Sequence, residues 1–222
     1  MPRTTDTQMF LSKVVAELGN VPRLGLLCFS ALGLLSGALD FLFWLHRPGL
    51  TAWDYTGSAF LIAGSVLSTY YVCTAMVEHR PSWSGLGRFL ATLLAMASPV
   101  LLAIALMIWR PANLSVLPIS LMCLLTGCAM LAFLPGWPLL QATSASLVGP
   151  WKAFKSTRGL RWQLFLASFL ASGLNKAIPK VSSTESLAGA SVLALLGGVV
   201  TCFSLMLAAA IGVSAWRHMT SD

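Results

Sequence analysis

Acidic side chains are the scarcest chemistry in this chain: seven Asp and Glu stand against fourteen Lys and Arg in 222 residues, and charged residues of either sign make up 9%. No dense acidic motif is present, and no H-E-x-x-H, P-loop or Ser-His-Asp set. The three histidines, His46, His79 and His218, all fall outside the long apolar runs, which argues against haem held by histidines of membrane helices. His79 follows Glu78 in VEHRPSW; two adjacent side chains diverge on a helix and a metal needs three or four ligands, so this reads as a solvated helix end. The five cysteines, Cys28, Cys73, Cys123, Cys128 and Cys202, all lie inside apolar runs, away from any oxidising face. They read as small packing residues. No cofactor and no metal is expected.

What the chain has is hydrocarbon: 57% of its residues are hydrophobic, far above the soluble average. A helix rises about 1.5 Å per residue and needs roughly 20 residues to cross a core of about 30 Å. Six runs meet or approach that length: Leu24 to Leu45, Tyr55 to Val77, Phe89 to Trp109, Leu114 to Leu134, Trp162 to Ile178 and Leu187 to Ala215. The fifth covers only about 25 Å of helix, with Lys176 and Lys180 expected to snorkel outward. The runs are continuously apolar rather than alternating, which selects helices over a barrel. Because 23 residues precede the first run and no A-x-A-like site follows it, that run reads as a span and not a signal peptide. The expected fold class is an all-α integral membrane protein with six transmembrane helices.

Basic residues orient it. One set of alternate connections holds ten, namely Arg3, Lys13, Arg23, Arg80, Arg88, Lys152, Lys155, Arg158, Arg161 and Arg217; the other holds four, Arg47, Arg110, Lys176 and Lys180. Cytoplasmic loops carry the excess, so both termini are expected in the cytoplasm. The chain then divides into a cytoplasmic amphipathic segment at 1–23, a membrane domain at 24–215 with an amphipathic cytoplasmic segment at 141–161, and a short tail at 216–222.

The most charged stretch is GPWKAFKSTRGLRWQLF, residues 149–165. Pro150 suits a first helical turn, after which Lys152, Lys155 and Arg158 recur at three-residue spacing with Trp151 and Phe154 to one side. This predicts a short amphipathic helix in the headgroup layer, followed by Arg161 and by Trp162 at the start of the next span. Each basic residue beside an anionic leaflet contributes on the order of 1 kcal/mol. Topology alone explains such a lip, and recognition of a headgroup or a partner is the second reading. Ahead of the first span, Phe10, Val14 and Leu18 recur every four residues with Lys13 and Glu17 beside them, and Gly19, Asn20 and Pro22 supply a stop. A second helix lying flat on the cytoplasmic surface follows, with binding to a partner helix as the second reading.

Arg23, Arg88 and Arg161 each open an odd-numbered span, at separations of 65 and 73 residues. Three pseudo-repeated hairpins fit that spacing, as does positive-inside placement alone. Gly33 and Gly37, Gly64 and Ser68, Ala194 and Gly198, and Ala208 and Gly212 are small pairs one turn apart, which let helix backbones approach. The second span carries Ser65, Ser68, Thr69, Tyr70, Tyr71 and Thr74; such hydroxyls either line a pathway or bond back to their own helix, and the latter is favoured. Asp40 is the one acid well inside an apolar run, close to its outer end, with Arg47 seven residues on. Intramembrane acids begin as functional candidates, here for proton or substrate transport.

Residues 131–170 carry a resemblance. An apolar span ending near Pro135 leads to Gly149, to Ala153 flanked by Lys155, then to Thr157, Arg158 and Gly159 before Trp162 opens the next helix. This resembles the membrane domains of bacterial glycerophosphodiester phosphodiesterases and related six-helix inner-membrane proteins. The resemblance implies a six-helix domain of a bacterial inner membrane; it implies no chemistry, because the catalytic barrel of the longer family members has no counterpart in this sequence. The favoured function is a non-catalytic membrane scaffold or accessory subunit that contacts lipid through its surface helices. A small transporter or channel using Asp40 and the polar second span, and a lipid-modifying enzyme, are the alternatives. Expected partners are membrane lipids with anionic headgroups, together with a membrane protein or a second copy of the chain, and no nucleic acid.

Overall fold

A computed structural model of the chain describes residues 3–46, 52–109, 116–179, 181–184 and 186–221, with the backbone alone described at 3–9, 52–55, 175 and 176. The described residues form helices α1 (Arg3–Gly19), α2 (Arg23–Leu45), α3 (Ala52–Met76), α4 (Trp83–Trp109), α5 (Val116–Phe133), α6 (Trp137–Thr143), α7 (Pro150–Ser156), α8 (Arg161–Ala177) and α9 (Leu187–Ser221), with no strand among them. Five are long and apolar enough to cross a membrane: α2, α3 over Thr56–Met76, α4, α5 and α9. This is the make-up of a multi-pass membrane protein. The fifth apolar run becomes α8, whose 17 residues fall short of that length. By contrast α9 continues past the expected end at Ala215 to Ser221, and buried Met219 extends its packed side by a further turn.

The helices fall into two compact units. One, here the α2 unit, comprises Ser12–His79 and Phe169–Ala210; the other, the α4 unit, comprises Met1–Leu11, Arg80–Ser168 and Ile211–Asp222.

In the α2 unit, α2 packs on α3 and on α9 through glycine. A Cβ added at Gly33 would collide with the Gly198 carbonyl oxygen, and one at Gly37 with that of Ala194; in return a Cβ at Gly198 would lie 2.6 Å from the Gly33 carbonyl oxygen. Both small pairs are thus consumed inside the chain, backbone on backbone. On the α3 side Gly25 faces Val72 and Gly64 faces the tip of Leu32. Two of the hydroxyls of α3 turn back on their own helix: Ser65 donates to the Leu61 carbonyl at 2.7 Å, and Thr74 to those of Tyr70 and Tyr71 at 2.9 and 3.0 Å. At the end of α3, Glu78 takes a left-handed φ of 54°. The Glu78 N–H then reaches the Ala75 carbonyl at 3.1 Å and the His79 N–H that of Thr74 at 2.9 Å, the paired bonds of a Schellman cap. The Glu-His pair is therefore a helix end, as its spacing indicated.

In the α4 unit, α4 packs on α5 and α6. Pro99 lies within α4, and Gly127 of α5 passes it without a side chain because a Cβ there would collide with Val100. The α8 hydroxyl of Ser168 reaches the Ala132 carbonyl of α5 at 3.4 Å.

Two expectations about surface helices change. In α1, Phe10 and Val14 are buried, so the face expected to rest on lipid is covered by protein, while Leu11 and Val15 stay exposed. The segment at 141–161 is not one amphipathic element: Gln141 and Ala142 belong to the buried α6, residues 144–149 form a loop, and α7 holds only seven residues before a 3-10 turn at Arg158–Leu160. Arg47, Arg110 and Lys180 lie outside the described residues, as does the Lys176 side chain, so the partnership of Asp40 with Arg47 and the snorkelling lysines fall there too.

Candidate functional site

The basic stretch sits on a pinned foundation. The chain leaves α5 at Phe133 and turns through Pro135 and Gly136, where a Cβ would lie 2.7 Å from the backbone nitrogen of Trp216 in α9. Only glycine lets the chain pass that close, and it enters α6 with Trp137 and Pro138 as the opening residues. Every residue from Trp137 to Ala142 is buried. Three hydrogen bonds from two side chains then close the loop behind α6. The Trp137 indole N–H donates to the Val148 carbonyl at 2.8 Å, the Gln141 amide donates to the same oxygen, and the Val148 N–H donates back to Gln141 Oε1 at 3.3 Å. Arg88 of α4 donates to the Ser144 carbonyl at 2.6 Å, and the Trp216 indole to Thr143 Oγ1 at 3.0 Å. The loop is half-buried at Ser144 and Val148 and exposed between them, and these bonds pair its half-buried positions.

On that base stands α7, opened by Gly149 in extended conformation and Pro150. Ala153 and Thr157 are buried beneath it. Its outer side carries Lys152, Lys155 and Arg158, all exposed, the last on the 3-10 turn rather than on the helix. Trp151 is 67% exposed and Trp162, at the start of α8, 70%.

Between these tryptophans runs a ladder of rings. Trp151 stacks on Phe154 at 5.9 Å, Phe154 meets Phe133 edge-on at 6.3 Å, Phe133 stacks on Phe165 at 6.0 Å, and Phe165 meets Trp162 edge-on at 5.9 Å. Such centroid distances are those of favourable ring pairs. Arg161 braces it from the α8 side. Its guanidinium carbon lies 3.7 Å from the Phe154 centroid and one terminal nitrogen donates to the Phe154 carbonyl at 3.0 Å, capping the end of α7. Arg161 is thus turned onto its own chain, whereas Lys152, Lys155 and Arg158 face outward. Lys155 also lies over the Trp151 ring at 6.0 Å.

The level of this lip follows from α4. That helix begins and ends in exposed tryptophans, Trp83 and Trp109, and its 27 residues cover about 40 Å, the thickness of a bilayer with its headgroup layers. Arg88 stands five residues inside Trp83, so its bond to Ser144 holds the loop about 8 Å from that end of α4.

Asp40 is exposed on α2, with its Oδ2 3.8 Å from where a Cβ of Gly197 would sit, in a different unit from the lip. Among the described residues no three His, Cys, Asp or Glu gather as a metal site.

Phe133, Phe165, Gln141 and Arg88 were not expected in the site. The two phenylalanines lie in apolar runs, where nothing distinguishes a ladder ring from a lipid-facing one. One further signal was readable: no Asp or Glu occurs between Glu78 and Glu185, so nine of the fourteen basic residues lie in an acid-free stretch. Comparison with family models, with curated proteins and with solved structures finds no match for the chain.

Proposed function

We propose that this protein is a non-catalytic scaffold or accessory subunit of a bacterial inner membrane, whose basic aromatic lip lies against anionic lipid headgroups on the cytoplasmic face. In this reading α8 is the sixth span, both termini are cytoplasmic, and the resemblance of residues 131–170 to six-helix inner-membrane domains supplies the family setting.

One observation carries it. Lys152, Lys155 and Arg158 are exposed beside two exposed tryptophans, and the sequence offers no acid from 79 to 184 to neutralise them. Their counter-ions come from outside the stretch, and headgroup phosphates at the depth favoured by Trp151 and Trp162 supply them. A pinned loop and a ring ladder hold the charges in place, which suits a surface presented for binding. Transport through Asp40 and α3 draws less support, because Ser65 and Thr74 spend their hydroxyls on their own helix. For a lipid-modifying enzyme the basic lip remains the sole support.

The test is crosslinking in native membranes followed by purification in mild detergent and mass spectrometry of what stays bound. A stoichiometric protein partner, with anionic lipid enriched over zwitterionic lipid, is the expected result. A lone protein retaining a water-soluble solute would overturn the scaffold reading.

A further inference from the structure

The close approach of α2 and α9 leaves a crevice beside it of about 320 Å³, lined among others by Leu34, Gly37, Ala38 and Phe41 of α2 and by Ser191 and Leu195 of α9. Its size lies at the lower end of small-molecule sites, roughly 300–1,000 Å³. Its lining offers a polar ligand little: the one polar side chain, Ser191, already donates its hydroxyl to the Leu187 carbonyl at 2.9 Å, and Asp40 is not part of the lining. It also opens outward, for Leu34 is 64% and Leu195 61% exposed. Leu34 has eleven residues of α2 on either side, about 17 Å of helix each way, which places the crevice at hydrocarbon depth. Whatever fills it arrives through the bilayer. A whole helix, about 10 Å across, cannot enter a crevice of this size and could only lay side chains over its mouth. A single flexible aliphatic chain is thin enough.

We propose that this crevice seats one acyl chain of a bilayer phospholipid, held by shape and dispersion alone. The site lies in the α2 unit and does not depend on the scaffold reading or on the basic lip. The full chain is reconstituted in phosphatidylethanolamine and phosphatidylglycerol vesicles containing a trace of phosphatidylglycerol with a mid-chain diazirine, photolysed, and its adducts mapped by peptide mass spectrometry. Labelling at Leu34, Ala38 and Leu195 is expected to exceed that at Leu94 and Leu121, exposed positions of α4 and α5, by severalfold. Ala38→Leu, which fills the crevice, is expected to bring it down to their level. Uniform labelling of all five positions in the wild-type chain would overturn the proposal, and that pattern is readable whether or not the variant folds. Labelling at Leu34, Ala38 and Leu195 below that at Leu94 and Leu121 would overturn it in favour of a protein occupant that shields the crevice.

Discussion

At the α2–α9 seam backbone meets backbone, with Gly33 against Gly198 and Gly37 against Ala194, and Ser65 and Thr74 of α3 bond back to their own helix. Around α6 the opposite device operates. There Gln141, Trp137, Arg88 and Trp216 reach across to carbonyls and hydroxyls of other segments, and Arg161 does the same for α7. Lipid tails are as apolar as leucine, so helices in a membrane gain nothing from leaving water twice; they cohere through close van der Waals approach or through polar groups with no other partner. The α2–α9 seam uses the first route and the loop behind α6 the second, although each unit also holds an instance of the other: Trp44 donates to the Thr184 carbonyl at 2.8 Å in the α2 unit, and Gly127 passes Val100 in the α4 unit. A seam of glycines holds regular helices, whereas a side-chain network holds irregular backbone, which is what a lip raised on a loop requires.

The sharpest way to break the contrast is at the seam. Gly37→Val pushes two branched carbons toward the Ala194 carbonyl, where neither backbone can yield without parting the helices. We expect a loss of about 3 kcal/mol or more in denaturant unfolding in detergent. Hydrogen exchange should rise in α2 and the first half of α9, while residues 137–148 stay protected. Gly64→Ala is the control, because its Cβ meets only the tip of Leu32 at 2.9 Å, which can move. Equal losses from the two variants would mean the seam is no tighter than ordinary packing.

Next in size is the electrostatic contribution of the lip. Replacing Lys152, Lys155 and Arg158 together by Gln removes on the order of 3 kcal/mol of attraction to an anionic leaflet, at about 1 kcal/mol each. The preference for phosphatidylglycerol over phosphatidylcholine among lipids retained after purification should fall accordingly. Thermal stability should change little, since all three side chains are exposed. Full retention of the preference would assign the lip to topology alone.

Smaller again is Gln141→Leu, which takes from Val148 the acceptor of its N–H and one of two donors to its carbonyl. Because Val148 is half-buried, leaving its N–H unpaired should cost about 1 kcal/mol, the lower end of the range for a buried group. Proteolysis within residues 144–149 should accelerate, with the α2–α9 seam unaffected. Unchanged cleavage would show that Trp137 and Arg88 hold the loop unaided.

These residues also show what the sequence makes legible. The long apolar runs announce the five helices that are long and apolar enough to span, because hydropathy summed over twenty residues is insensitive to tertiary detail. The run at Trp162 is ambiguous for the same reason: at 17 residues, length no longer decides. Lys152, Lys155 and Arg158 stand out in the sequence because charge is conspicuous in grease, and all three are exposed. Arg161 belongs to the same cluster yet turns inward, since a ring and an uncapped carbonyl happen to lie within its reach. The ladder rings Phe133 and Phe165 are 32 residues apart, and nothing local couples them. The N-terminal helix shows the converse limit: periodicity identifies an apolar face, but whether lipid or protein covers Phe10 and Val14 is a tertiary fact.

The smallest expected effect is a gain, and it separates conformation from charge at the end of α3. Glu78 holds φ at 54°, a region that costs a residue with a Cβ roughly 1 kcal/mol relative to glycine. The cap it completes needs that angle, because only there do the Glu78 and His79 N–H groups reach Ala75 and Thr74. Glu78→Gly should therefore stabilise the α2 unit by about 0.5–1 kcal/mol, seen as a later unfolding midpoint in detergent. Glu78→Ala keeps the strained Cβ while removing the carboxylate, and should give none of that gain. If Ala stabilises as much as Gly, the carboxylate and not the backbone is what costs energy there. That outcome would make this end of α3 an electrostatic feature and bring it closer to the logic of the loop behind α6.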